Sequence, residues 1–407
     1  MKEIFLIGNP LGHSWSAEIH SRFEGYTYAL RPLETDEVEG FMKGGGYDGL
    51  NVTIPYKLTA MQYLDEISPE AERIGAVNTV VKKNGRLFGY NTDYTGFSYL
   101  LGSSGIDVSG KKVLVLGSGG SSHTVCTVLD DKGAKEAVVI SRSGSDNYEN
   151  LSRHADADII INTTPLGMYP NNGVSPVRLD EFPRLSAVVD LIYNPERTAL
   201  ILDAEERGIR TASGLTMLVS QAKASAELFT GAAIPEKKIG ETVASLRREK
   251  RNIVLIGMPG CGKTTVGRAL AELTGRKFAD TDELISEKYA RTPEEIIKSD
   301  GENAFRACET EVLRETAKES SLVISTGGGA VTRRDNIRLM RQNGTVVFLN
   351  RPIGELSSDG RPLSEAFGAE KLWKERASLY KSAADISVDA DKSAAATAKE
   401  ILERLMK

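Results

Sequence analysis

Gly257-Met258-Pro259-Gly260-Cys261-Gly262-Lys263-Thr264 follows the apolar run Ile253 to Ile256 and leads into a helix-length segment. The stretch fits G-x-x-x-x-G-K-[ST] between a strand and a helix, the pattern of a phosphate-cradling P-loop. In such a loop backbone N–H groups surround the phosphates, Lys263 reaches toward the β/γ oxygens, and the Thr264 hydroxyl can hold Mg²⁺. Gly260, Cys261, Gly262, Lys263, Thr264 and Thr265 are therefore read as ATP contacts. Cys261, inside the loop, needs only the explanation of a small residue. A second stretch, Asn51-Val52-Thr53-Ile54-Pro55-Tyr56-Lys57, opens a separate series of motifs in the first half.

At 407 residues the chain is two to three domains long on a prior of roughly 150 residues per domain. With 40% hydrophobic and 26% charged residues it reads as an ordinary soluble globular protein. The net charge is −5, and the one basic tract, Arg247-Arg248-Glu249-Lys250-Arg251, is interrupted by an acid. Nucleic acid is thus not an expected partner, because phosphate-backbone binding needs a concentrated basic surface. No apolar run approaches the ~20 residues of a membrane-spanning helix, so no membrane partner is expected either. Met1-Lys2-Glu3 runs directly into strand-like Ile4 to Ile7 without a signal-peptide pattern. Cys126, Cys261 and Cys308 are too widely spaced for a disulfide framework or a zinc site. The four scattered histidines give no metal cluster, and His13 and His20 read as turn and helix residues. The expectation is a cytoplasmic enzyme acting on small molecules, with its oligomeric state open.

Strand-like runs at 113–116, 137–140, 158–161 and 187–190 alternate with helix-length polar segments. That rhythm predicts βαβ units and parallel sheets buried on both faces. A charged helical stretch from Pro235 to Asn252 separates this region from the P-loop strand, and a softer boundary lies at Leu101 to Gly105. The expected domains are 1–102, 103–248 and 249–407, with 393–407 closing the chain as an amphipathic helix.

Gly117-Ser118-Gly119-Gly120-Ser121-Ser122 follows a strand and precedes a helical segment. In that context G-x-G lets a dinucleotide pyrophosphate approach the backbone at a helix N-terminus, although a Gly-rich structural turn has the same pattern. Gly117, Gly119, Gly120 and Ser121 are the candidate contacts. The next strand ends at Ser141-Arg142-Ser143, where an NAD-specific site would offer an acid. A guanidinium between two hydroxyls suits a 2′-phosphate and hence NADP; a solvated surface arginine explains Arg142 alone equally well.

The ordered series Gly8-Asn9-Pro10, His13-Ser14-Trp15-Ser16, Asn51 to Lys57, Gly75 to Thr79, Asn91-Thr92-Asp93, Asn162 to Met168, Asp190 to Pro195 and Leu218 to Gln221 resembles shikimate dehydrogenase across residues 1–240. The resemblance implies that Ser14, Ser16, Thr53, Asn78, Asp93 and Gln221 hold the substrate's carboxylate and hydroxyls. It also implies that Lys57 and Asp93 form the catalytic pair, that Tyr193 lines the site, and that Met217 lies close to the nicotinamide. A lysine held by a carboxylate can stabilise the alkoxide formed on ketone reduction and relay the proton. Ala17 departs from the family's usual proline after H-S-x-S.

Beyond the P-loop, Asp280-Thr281-Asp282, Phe305-Arg306, Gly327-Gly328-Gly329, Gly360-Arg361-Pro362-Leu363 and Glu375-Arg376 with Tyr380 are similar to shikimate kinase over residues 251–390. The similarity implies that Asp280, with Thr264, serves Mg²⁺ and that Asp282 orients the attacking hydroxyl or accepts its proton. Arg306 and Arg376 would grip the carboxylate, Gly328 would approach the ring by its backbone, and Arg361 would meet ATP from a lid. An arginine fork matches a carboxylate, and Glu309, one turn from Arg306, could hold that guanidinium. The implied protein has an N-terminal α/β substrate domain, a Rossmann-like NADP domain and a P-loop, NMP-kinase-like α/β domain. Its implied cofactors are NADP(H), ATP and Mg²⁺, and its implied substrates are 3-dehydroshikimate and shikimate. Two alternatives stay open: a half that senses shikimate without turnover, and a first half that acts on quinate.

Overall fold

The computed structural model describes residues 1–12, 14–356 and 368–406. The chain divides into two compact units, Met1–Ala244 and Ser245–Lys407. The change falls inside the helix Lys237–Lys250.

In the first unit, strands β1 (Lys2–Gly8), β2 (Tyr26–Pro32), β3 (Gly49–Val52), β4 (Glu66–Ile67), β5 (Thr79–Lys83) and β6 (Arg86–Tyr90) form a mixed sheet in the order β2-β1-β3-β5-β6-β4. Strands β5 and β6 make an antiparallel hairpin through Asn84-Gly85, both at positive φ, the backbone that a tight hairpin turn requires. A second sheet of β7 (Lys112–Leu116), β8 (Glu136–Ile140), β9 (Ile159–Asn162), β10 (Ala187–Asp190) and β11 (Arg210–Ser213) runs β11-β10-β9-β7-β8 and is parallel throughout. Its inner strands are buried on both faces, one against Phe97, Leu101 and Val125, the other against Leu200, Ile201 and Phe182.

Two helices join these layers. Thr92–Ser103 lies along Gly214–Thr230, and the approach is close because Gly96 lacks a side chain. A Cβ there would fall 2.8 Å from the Met217 carbonyl oxygen. This crossing brings Asp93 and Gln221, at the start of one helix and the middle of the other, onto one side.

The second unit repeats the parallel plan with β12 (Asn252–Ile256), β13 (Lys277–Asp280), β14 (Leu322–Ser325), β15 (Gly344–Asn350) and β16 (Ile386–Asp389), in the order β13-β14-β12-β15-β16. Central β12 is wholly buried and ends in the P-loop. The chain closes with helix Ala394–Leu405, capped by the Ser393 hydroxyl. Among the described residues no helix is long and apolar enough to cross a membrane.

Both parallel sheets reverse strand order next to a glycine loop; in the first unit the chain leaves β7 for β8 on one side and returns to β9 on the other. A crevice opens at such a switch point beyond the strand C-termini. Gly214 opens the long helix beside this crevice, and a Cβ on it would lie 1.9 Å from the Leu191 carbonyl oxygen. Gly214→Ala should therefore destabilise the first unit by about 1–3 kcal/mol, the usual cost of forcing backbone apart, read as a lowered midpoint in urea unfolding. An unchanged midpoint would show that the loop yields freely.

Candidate functional site

The first unit's candidate site lies where the mixed sheet, the helix Thr92–Ser103 and the Gly117 loop meet. Lys57 follows β3, and Asp93 sits in the first turn of its helix. Their side chains meet with Lys57 Nζ donating to Asp93 Oδ2 at 2.5 Å, both partly buried. Asn78 is buried, and its Oδ1 accepts the Thr92 backbone N–H at 2.7 Å. Gln221 is held through its Nε2, which donates to the Leu218 carbonyl at 2.8 Å. Ser14 and Ser16 bond each other at 3.0 Å, and Thr53 packs against Gly8. Tyr193 meets Trp15 edge-on at 5.1 Å, and burial raises its phenol above the ordinary range. His13 lies outside the described residues. His20 is buried and stacks on Tyr28 at 4.0 Å, and burial lowers its imidazole to about 3.

The Gly117 loop shows the geometry of a backbone that must accept a close neighbour. Gly117 has φ +104°, and a Cβ there would strike Thr163 Oγ1 and Thr164 Cγ2 from the end of β9, at 2.9 and 2.8 Å. Gly119 and Gly120 face open space at the N-terminus of helix Gly120–Asp131, so their N–H groups are free to meet an anion. Ser141 and the exposed Arg142 and Ser143 follow β8, and Arg142 has no carboxylate partner among the described residues. Met217 is buried in the apolar cluster with Phe97 and Val113, while Ser121 is partly buried at the helix start.

A residue whose role the sequence reading missed braces this crevice. Asp190, fully buried at the end of β10, accepts from Asn162 Nδ2 (3.0 Å), Ile192 N–H (3.1 Å) and Thr198 Oγ1 (2.7 Å). Burial raises its carboxyl to about 6. The sequence reading included Asp190 at the head of the Asp190 to Pro195 stretch without giving it a role.

In the second unit a cleft of about 400 Å³ is lined by the P-loop, Asp280, Asp282, Phe305, Arg306, Ser325 to Gly329 and Arg376. Gly257, Gly260 and Gly262 all have positive φ, the left-handed backbone that glycine adopts most cheaply. Lys263 Nζ donates to the Gly257 and Met258 carbonyls at 3.0 and 2.9 Å. Thr265 lines the same cleft, and Cys261 is buried behind the loop.

Thr264 Oγ1 donates to Asp280 Oδ2 at 2.8 Å, while the Asp282 N–H caps Asp280 Oδ1 at 3.0 Å. These hard oxygen donors suit Mg²⁺. Among the described residues no three His, Cys, Asp or Glu side chains are grouped to hold a metal by themselves. A cation at Thr264 and Asp280 would thus complete its shell with water and phosphate oxygens. Burial raises the Asp282 carboxyl to about 6; Asp280 and Glu309 repel its charge, and Lys263 and Arg306 oppose them.

Arg306 is buried between two acids, with Nη1 on Glu309 at 2.9 Å and Nη2 on Glu302 at 3.1 Å. The Glu309 contact is the one expected from its place one turn away, while the Glu302 partner, at i,i+4, was not named from the sequence. Glycine at 327 and 329 makes room for this pair: a Cβ would fall 2.4 Å from Glu309 Oε1 or 2.0 Å from Arg306 Nη2. Gly328 presses on Pro259 of the P-loop, and its carbonyl accepts the Tyr380 hydroxyl. Arg376, one turn before Tyr380, is buried and lines the same cleft. Thr281, also missed, accepts the Gly327 N–H at 3.0 Å and ties the β13 end to the glycine run. Arg361, with its Gly360 to Leu363 stretch, lies outside the described residues.

Comparison with known proteins agrees with both halves. Residues 6–80 match the shikimate dehydrogenase substrate binding domain family, and residues 259–406 match the shikimate kinase family. A shikimate dehydrogenase (NADP(+)) of Caldanaerobacter subterraneus subsp. tengcongensis is 39% identical over 253 residues, covering 56% of this chain and 90% of that protein. A crystal structure of a chorismate mutase/shikimate 5-dehydrogenase fusion protein from Clostridium acetobutylicum is 37% identical, with a TM-score of 0.58 over 61% of this chain and 98% of that one. The Thermus thermophilus shikimate 5-dehydrogenase, solved with NADP(H) and shikimate, is 31% identical with a TM-score of 0.55, covering 60% and 99%.

The raised Asp282 carboxyl has a measurable consequence. The fold binds that proton more tightly than the unfolded chain does, so the stability belonging to the protonated form is complete below the ordinary carboxylate range. It is lost as pH rises through about 6. Asp282→Asn, neutral throughout, should melt at a temperature that gains on the unsubstituted protein between about pH 4 and 6 and keeps a constant lead above that. A difference independent of pH would show that Asp282 is ionised without cost.

Proposed function

Because this chain belongs to the shikimate dehydrogenase family and carries a shikimate kinase domain, we propose that it makes and then phosphorylates the same compound. The first unit reduces 3-dehydroshikimate to shikimate with NADPH, and the second transfers phosphate from MgATP to give shikimate 3-phosphate. The observation that carries the reading is one cleft of the second unit, in which the P-loop, both aspartates and two arginines stand together. The three free cysteines are in keeping with a reducing cytoplasm.

At the first site NADPH supplies a hydride when bound. Lys57, held by Asp93, donates to the ketone oxygen and passes a proton to the alkoxide, and Asp93 orients the ammonium. Ser14, Ser16, Thr53, Asn78 and Gln221 hold the acid and its hydroxyls, and Tyr193 closes the apolar side. Arg142, with Ser141 and Ser143, meets the 2′-phosphate.

At the second site Thr264 and Asp280 would hold Mg²⁺, which would supply charge neutralisation at the phosphates. Lys263, now on its loop carbonyls, would hold the phosphate oxygens. Arg306 and Arg376 clamp the substrate carboxylate, which fixes the attacking hydroxyl beside Asp282. A carboxyl near 6 is a serviceable base close to neutral pH. Burying Arg306 with two acids costs desolvation, yet it leaves the guanidinium rigid enough to orient the acid.

The test is an assay of the full chain with 3-dehydroshikimate, NADPH and MgATP, following NADPH and ADP separately. NADPH should be oxidised, and ADP should appear only when reductant is present. ADP at full rate without reductant would end the coupled reading. Lys57→Ala should lower NADPH oxidation by about 10²–10⁴-fold, the usual contribution of general acid–base catalysis, with kinase turnover on added shikimate unchanged. Arg142→Ala should raise the KM for NADPH while leaving that for NADH nearly constant; equal kinetics with both cofactors in the unsubstituted protein would remove Arg142 from cofactor choice.

A further inference from the structure

Beneath Asn78 and Gln221 lies a buried polar cluster to which the reaction assigns no part. It comprises Asn51 on β3, Thr79 on β5, Thr92 at the start of its helix, and Ser225 one turn beyond Gln221. Thr79 and Ser225 are fully buried, and Asn51 and Thr92 nearly so. Asn51 Nδ2 faces the Asn78 carbonyl (3.1 Å), Thr79 Oγ1 (3.0 Å) and Ser225 Oγ (3.0 Å), while Asn51 Oδ1 accepts the Tyr28 hydroxyl at 2.9 Å. Ser225 Oγ lies 2.9 Å from both Thr79 Oγ1 and Thr92 Oγ1. Ser225 also donates to the Gln221 carbonyl at 3.0 Å. Five elements distant in sequence thus share one network.

The network settles which way Asn78 points. Its Oδ1 receives the Thr92 N–H at 2.7 Å, Thr79 Oγ1 at 3.0 Å and Thr92 Oγ1 at 3.1 Å. A backbone N–H can only donate, so the oxygen must occupy that side of the amide. The Nδ2 end is left without a partner among the described residues. Thr92 Oγ1 also lies 3.4 Å from Gln221 Oε1, so one hydroxyl touches both amides.

We propose that Thr92 and Ser225 are positioning residues, which fix Asn78 as an outward hydrogen-bond donor and hold Gln221 beside it for an acceptor-rich, polyhydroxylated acid. The inference rests on the dehydrogenase reading above. It adds that the substrate atom meeting Asn78 is an acceptor, a hydroxyl or carboxylate oxygen. Buried networks of this kind act as a unit, so loss of one hydroxyl loosens several partners.

The experiment uses the full chain with NADPH and 3-dehydroshikimate in the absence of ATP. Ser225→Ala, and Thr92→Val, which removes a hydroxyl but keeps shape, should each raise the KM for 3-dehydroshikimate about 3–10-fold, the range of one lost hydrogen bond. The KM for NADPH, and turnover by the kinase domain on shikimate, should stay constant. Thr92→Ser, which keeps the hydroxyl, should restore the original KM. A double-mutant cycle of Ser225→Ala with Asn78→Ala should be strongly non-additive, because the first acts through the second. Unsubstituted KM values in the two hydroxyl-deletion variants, or strict additivity in the cycle, would overturn the positioning role while leaving the dehydrogenase reading intact. Failure of the unsubstituted protein to oxidise NADPH with 3-dehydroshikimate would remove the reading and this inference together.

Discussion

A parallel strand covered on both faces can display polar groups only at its ends, and that constraint organises both units. The four residues of β9, β10 and β14 and all five of β12 are buried, so each carries chemistry only where it stops. Asp190, Asp280, Ser325 and the two glycine loops all stand at carboxyl ends. There the helices that follow present unpaired N–H groups. The crevices therefore inherit partial positive charge, suited to phosphates, before any side chain contributes.

What side chains add is charge that the fold could not otherwise keep. Arg306 and Glu309 are both almost wholly buried, and removal of either would leave a desolvated charge without its counterpart. The glycine run at 327–329 lets the backbone pass close to this pair, and Thr281 fastens that backbone to β13. Asp282, buried and pressed by two neighbouring acids, is pushed toward neutrality. Packing, ion pairing and proton affinity are thus one arrangement, viewed at three positions. In the first unit the equivalent task falls to neutral hydroxyls and amides. They orient the recognition groups without the desolvation cost of buried charge.

Much of this was legible from local spacing. The P-loop announced its strand, its turn and its helix, because glycine, lysine and threonine at fixed offsets serve one backbone shape. The strands expected at 113–116, 137–140 and 187–190 appear with at most one extra residue at the N-terminal end. Strand 158–161 is shifted by one, because the Asp158 side chain serves instead as a hydrogen-bond acceptor for the Lys112 N–H at the start of β7. Motif order named Lys57, Asp93, Asp282, Arg306 and Arg376 as candidates, and the fold brings the first two into contact and the last three into one cleft.

By itself the sequence determined the element types, the two glycine loops and the residue kinds available for acid–base and phosphate chemistry, since these depend on neighbours within a few positions. Packing in three dimensions was needed to show that Asn51 reaches Ser225 across 174 positions, that Asp190 braces the crevice, and which way the Asn78 amide faces. Serine, threonine and asparagine carry no periodic signal, and a hydrogen bond constrains distance in space, not separation along the chain. Their roles emerged only when packing removed water and left each buried polar group in need of a partner.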